Sequence, residues 1–104
     1  MARVMAAKTE YVKPVSTLTV EESLLKARSL IEDPARWMQG RGGDRQRVFC
    51  LSTALQTADP YGFARGAELL REEAGTWLST FNDSHTHQEV LELLDKALDR
   101  ARRN

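Results

Sequence analysis

Cysteine is nearly absent. Cys50 is the only one in 104 residues, which excludes an internal disulfide and fits a reducing compartment. An excess of charge of one sign is missing too, because fifteen Lys and Arg balance fifteen Asp and Glu. No global field draws in nucleic acid or an anionic membrane, so both are argued against as partners and any charged contact is local. Long apolar runs are lacking: the uncharged stretch from Val48 to Ala58 is far short of a membrane span and contains Ser52, Thr53 and Gln56. The basic start from Met1 to Lys8 reaches Glu10 and Lys13 without passing through an apolar core, so no secretory signal is expected and the chain reads as cytoplasmic. Strand-like alternation and internal repeats are also missing, which leaves an all-α class.

The length suits one domain, large enough to bury about two thirds of its unfolded surface without staples. Residues 1–17 show no sustained period and include Lys13-Pro14, so they are expected to form an extended arm, with a single helical domain over residues 18–104. Four main helices are expected. Thr19 with Glu22 is a capping box, and Val20, Leu24, Ala27, Leu30 and Ile31 share a face until Asp33-Pro34, giving a helix over 20–33. A short helical turn is expected near 34–38, and Gly40-Arg41-Gly42-Gly43 is loop. Asp44 is a reasonable cap for a second helix over 45–58, whose arc is Val48, Leu51, Ala54, Leu55 and Ala58. Asp59 as cap and Pro60 at the first helical position open a third over 61–74, closed by Gly75. Thr76 caps a further turn over 77–81, in which Trp77, Leu78 and Phe81 plug into the core ahead of a polar Asn82-Asp83-Ser84 turn. A second capping box, Thr86 with Glu89, starts the strongest amphipathic helix, over 86–103. Val90, Leu93, Leu94, Ala97 and Ala101 line its core face, and Glu92 to Lys96 and Asp99 to Arg103 are favourable i,i+4 pairs on its back.

Several groups have the composition of a chemical site. His85 and His87, near Asp83 and Glu89, contain metal-ligand types, but residues two apart on a helix point about 200° from each other and nothing completes a tetrahedron, so no metal and no cofactor is expected. His87 is better read as a neutral, hydrogen-bonded structural histidine beside Val90 and Leu91. Cys50 with a histidine and Asn82 or Asp83 has the side-chain types of a thiol hydrolase. Its place in the second turn of helix two, at the edge of the apolar arc, favours a structural cysteine instead. The Gly-rich loop with Arg41, Arg45 and Arg47 could cradle an anion, yet the Lys-Ser/Thr of a P-loop is missing and no strand precedes it. Asn82-Asp83 is the hardest pair to set aside. An Asx-turn explains it, but beside Trp77 and Phe81 it could also form a small polar pocket, completed by Trp37, Gln39 and His87.

The order Trp37-Met38-Gln39-Gly40, then Cys50-Leu51-Ser52-Thr53-Ala54-Leu55, then Phe81-Asn82-Asp83, then Thr86 through Ala97 resembles a family of small bacterial and phage proteins catalogued as a domain of unknown function. The resemblance covers about residues 20–99 and is most specific from Asn82-Asp83 through Thr86-His87 to Glu89-Val90. It implies a shared fold and no assigned reaction. The leading expectation is a non-enzymatic interaction or regulatory module, binding itself as a homodimer or another protein, with Leu25, Phe49 and Leu69 off their helices' core faces to seat the partner. The alternative is a small-molecule-binding or hydrolytic protein with a pocket at Trp37, Gln39, Asn82, Asp83 and His87, and Cys50 as a nucleophile.

Overall fold

A computed structural model describes residues 14–40 and 48–103. Among them run five α-helices: α1 (Val20–Ile31), α2 (Leu51–Ala58), α3 (Phe63–Ala74), α4 (Leu78–Ser84) and α5 (His87–Arg103), with a 3₁₀ turn at Pro34–Arg36. The all-α class and the bundle of expected helices are what the structure has. The arm expected at its start lies mostly outside the described residues, as do Arg41, Asp44, Arg45 and Arg47.

Both capping boxes form. Thr19 Oγ1 accepts from the Glu22 amide at 3.1 Å while the Glu22 carboxylate accepts from Thr19 N at 2.8 Å, and Thr86 and Glu89 repeat the pair at 3.1 and 2.8 Å. Helix α1 stops two residues sooner than expected. Proline disfavours helical geometry in the residue before it, and Asp33 is extended, its carboxylate accepting from Ala35 N at 2.9 Å to start the 3₁₀ turn.

Helix α2 starts at Leu51 rather than 45. The cause is non-local: Phe49 N donates to Arg36 O at 2.8 Å and Met38 N to Phe49 O at 3.1 Å, an isolated parallel bridge that holds this stretch extended. The bridge draws Phe49 into the core, 2% exposed, so it is not the partner-facing residue expected from its helical position. The third helix also starts late, at Phe63 with Gly62 as its cap. Asp59, expected to cap it, instead closes the turn, accepting from Gly62 N at 3.0 Å. A side chain at Gly62 would strike Asp59 and Ser16. Gly75 ends α3 in the left-handed region, φ 73°, its N–H bonded to Arg71 O at 2.8 Å.

Helix α4 is the largest departure. It runs on through Asn82, Asp83 and Ser84, so these residues form its last turn and the corner falls at His85-Thr86. Its cap position is Trp77, not Thr76. Leu78 is buried and Phe81 half-buried as expected, but Trp77 stands ahead of the helix and is 63% exposed.

The core lies where α1 crosses α2 and α5, closed below by α3. Leu24, Ile31, Leu51, Leu55, Leu70, Val90 and Leu94 are wholly inaccessible to solvent. Burying a side chain of this size stabilises by about 1.5–3 kcal/mol, so this apolar set dominates the packing. Ion pairs clamp α5 from outside: Arg28 to Asp95 at 2.7 Å, Arg102 to Glu21 at 2.8 Å, and Arg100 to Glu72 and Glu73 at 3.0 and 3.2 Å. Of the two expected i,i+4 pairs on α5, Asp99 to Arg103 forms at 3.3 Å, whereas Glu92 accepts from Gln88 at 3.4 Å. No described helix is long and apolar enough to cross a membrane.

Candidate functional site

The five residues read as a pocket do come together. Asn82 is at the centre, 1% exposed near the end of α4. Its Oδ1 accepts from Trp37 Nε1 at 2.7 Å and from Leu51 N at 3.1 Å; its Nδ2 donates to Met38 O at 3.0 Å and to Asp83 Oδ1 at 3.2 Å. A carboxamide has two donors and two lone pairs, so its hydrogen-bonding capacity is filled. The Leu51 bond explains how α2 starts. Cys50 occupies the cap position without making a side-chain cap bond, and Asn82 satisfies the first helical N–H from another element.

Around this hub the 37–40 segment is held along its length. Asp83 Oδ1 accepts from Gly40 N at 2.7 Å, and Gln39 Nε2 donates to His85 O at 2.9 Å. His87 sits beneath, its ring 5.5 Å from that of Trp37, with Nε2 bonded to Ile31 O at 2.6 Å. A carbonyl only accepts, so Nε2 carries a proton here. The result is a clasp: one side chain ties the 3₁₀ segment, the start of α2 and the end of α4 together, and the neighbouring side chains bond to backbone.

The two histidines diverge. His85 stacks on Phe81 with ring centroids 3.7 Å apart and its Nδ1 meets Phe81 O at 2.9 Å, whereas His87 turns to α1. Among the described residues no three His, Cys, Asp or Glu side chains are placed to hold a metal ion. Cys50 is at the start of α2 rather than in its second turn, because the Phe49 bridge delays the helix. It is buried, and its Sγ lies 3.2 Å from Thr53 Oγ1 rather than against an imidazole among the described residues.

Two features escaped the sequence reading. Asp59 is a carboxylate only 3% exposed, accepting from Ser23 Oγ and from Gly62 N, with the Arg65 guanidinium 3.5 Å away. Burial pushes its pKa up, but hydrogen bonds from Ser16, Ser23 and Gly62 and the Arg65 charge outweigh this and hold it below the usual carboxylate range. Arg65 also donates to Leu18 O at 2.8 Å, fastening the stretch before α1. A patterned signal for this cluster does not exist, since Ser16 and Ser23 reach Asp59 from a distant part of the chain, Ser23 from 36 residues away.

The second feature is a cleft of about 550 Å³ between α3 and the start of α4, reaching Ser52 of α2, lined by apolar Phe63, Ala64, Ala67, Trp77 and Leu78 and by polar Glu68, Arg71 and Ser79. The Arg71 guanidinium lies over the Trp77 ring, 4.1 Å from its centroid. The sequence carried a hint of it, because Phe63, Ala64, Ala67, Glu68 and Arg71 recur at helical spacing. Of the residues expected to seat a partner, Leu25 is 42% exposed, and half-buried Leu69 lines a smaller depression with Thr19, Val20, Glu21 and Ala101.

No curated protein and no solved structure matches the chain. A family model does, over residues 15–100, a range that takes in both the clasp and the cleft. The chain belongs to DUF6197, a family of unknown function.

Proposed function

We propose that this protein is a non-enzymatic interaction module whose working surface is the cleft between α3 and α4. The observation that carries this reading is Trp77, a large aromatic side chain left 63% exposed, with Arg71 held against its ring, lining an apolar-floored cleft. Trp and Arg are the residues that most often dominate protein–protein binding, and a tethered pair loses less freedom on docking than two mobile side chains. The alternative, a small-molecule or hydrolytic site at Asn82, has less behind it: the polar atoms of Asn82 are taken up by the chain's own groups. The cytoplasm suits the module, with Cys50 buried and unpaired.

Unfolding measurements separate contact from scaffold. At concentrations too low for the chain to associate with itself, Trp77→Ala should change stability by no more than about 0.5 kcal/mol, as for an exposed surface residue, while Leu78→Ala next to it should cost about 2–4 kcal/mol. If both substitutions cost several kcal/mol, Trp77 belongs to the scaffold and the reading falls.

A further inference from the structure

We infer that the occupant of this cleft is a second copy of the chain, docked across a two-fold axis with its α3 antiparallel to the first. The inference rests on the interaction reading above. Charge selects the occupant. Glu68 and Arg71, three residues apart on α3, stand on the same side of the helix along the cleft, and among the described residues neither makes an ion pair. Their neighbours Glu72 and Glu73 are already held by Arg100. A partner of one sign would satisfy one of the two charges and oppose the other, whereas a two-fold interface needs a patch that is its own complement. Antiparallel α3 helices supply that complement, setting Glu68 of each copy against Arg71 of the other.

The shape agrees. Ala64 and Ala67 keep the cleft floor low, which leaves room for an aromatic ring from the second copy. Arg71 borders the cleft, the depression beside Gly75 and Thr76, and the one beside Glu68 and Glu72, so the surface is continuous around it. Stacking on Trp77 uses the face of the guanidinium and leaves its in-plane N–H groups for a carboxylate. The depression at Leu69 lacks this feature, because Glu21 on its rim is already paired with Arg102.

Sedimentation equilibrium of the full chain over a concentration series tests the inference. A dimer is expected, with Glu68→Arg, Arg71→Glu and Trp77→Ala each raising its Kd at least ~10-fold. Mixing the Glu68→Arg and Arg71→Glu chains in equal amounts should restore association to within about threefold of wild type, since the mixed pair again sets opposite charges together and coupled sites are not additive. A wild-type chain that stays monomeric up to about 1 mM overturns the inference; a well-folded Trp77→Ala variant would then still leave the interaction reading standing, with a different protein as occupant. A dimer indifferent to all three substitutions overturns it equally.

Discussion

Asn82 is the residue on which the irregular half of the molecule depends. Replacing it by Ala leaves Leu51 N, Trp37 Nε1 and Met38 O without their partner, all on residues that are buried or half-buried. Unsatisfied groups of this kind cost about 1–3 kcal/mol each and share one site, so Asn82→Ala should destabilise by about 2–4 kcal/mol in urea unfolding. Asp83→Ala, which removes the Gly40 N bond at an exposed position and leaves Asn82 Nδ2 its bond to Met38 O, should cost about 1 kcal/mol or less. Equal effects would show that the clasp does not hold the fold. Asp59 makes a prediction in pH. Its folded pKa is depressed, so the unfolded chain binds the proton more tightly. The stabilisation is therefore complete well above the ordinary Asp value of about 3.9 and is lost as pH falls through that value towards the lower folded one. Urea midpoints between pH 6 and 3 should drop, and the Asp59→Asn chain should show a shallower drop; an unchanged slope would exclude Asp59 as the source.

At the scale of the element, what ends or starts a helix differs from one to the next. The boxes at Thr19 and Thr86 are local, and their residues stand three apart in sequence, which is why both starts were legible. Gly75 is local as well: φ 73° excludes an unstrained side chain, although nothing lies within 4 Å of a Cβ there. Gly75→Ala should therefore cost about 1 kcal/mol through backbone strain and lower the melting temperature by about 4–8 °C. A neutral result would mean that α3 unwinds a turn to absorb the change. The start of α2 has no local determinant. Apolar periodicity runs back to Val48, but the Phe49 bridge and the Asn82 bond to Leu51 N act from residues 36, 38 and 82 and cut the helix short.

Across the whole molecule, the α1, α2 and α5 stripes close one core, and α5 is clamped to α1 and α3 by arginines. The arginines at the carboxyl end are in part occupied with this: Arg100 and Arg102 bind glutamates of α3 and α1. Exposed ion pairs each contribute little, and their main effect is to set how α5 lies across its neighbours. Short α4 bridges two regions of different character. Its last turn carries the clasp, and Trp77 at its start faces the cleft. Placing Trp77 outside rather than in the core is a whole-molecule effect, since Leu78 and Phe81 already fill the inward side.

The apolar spacing and the capping boxes settled the class, four of the five α-helices and most of their faces, because each of these depends on residues within a turn or two of one another. The pairing of Trp37 with Asn82, the burial of Phe49 and Asp59, and the exposure of Trp77 came from contacts that span tens of residues. Loop closure brings such groups together only when the core forms, so the clasp and the cleft belong to the folded chain and not to any stretch of it.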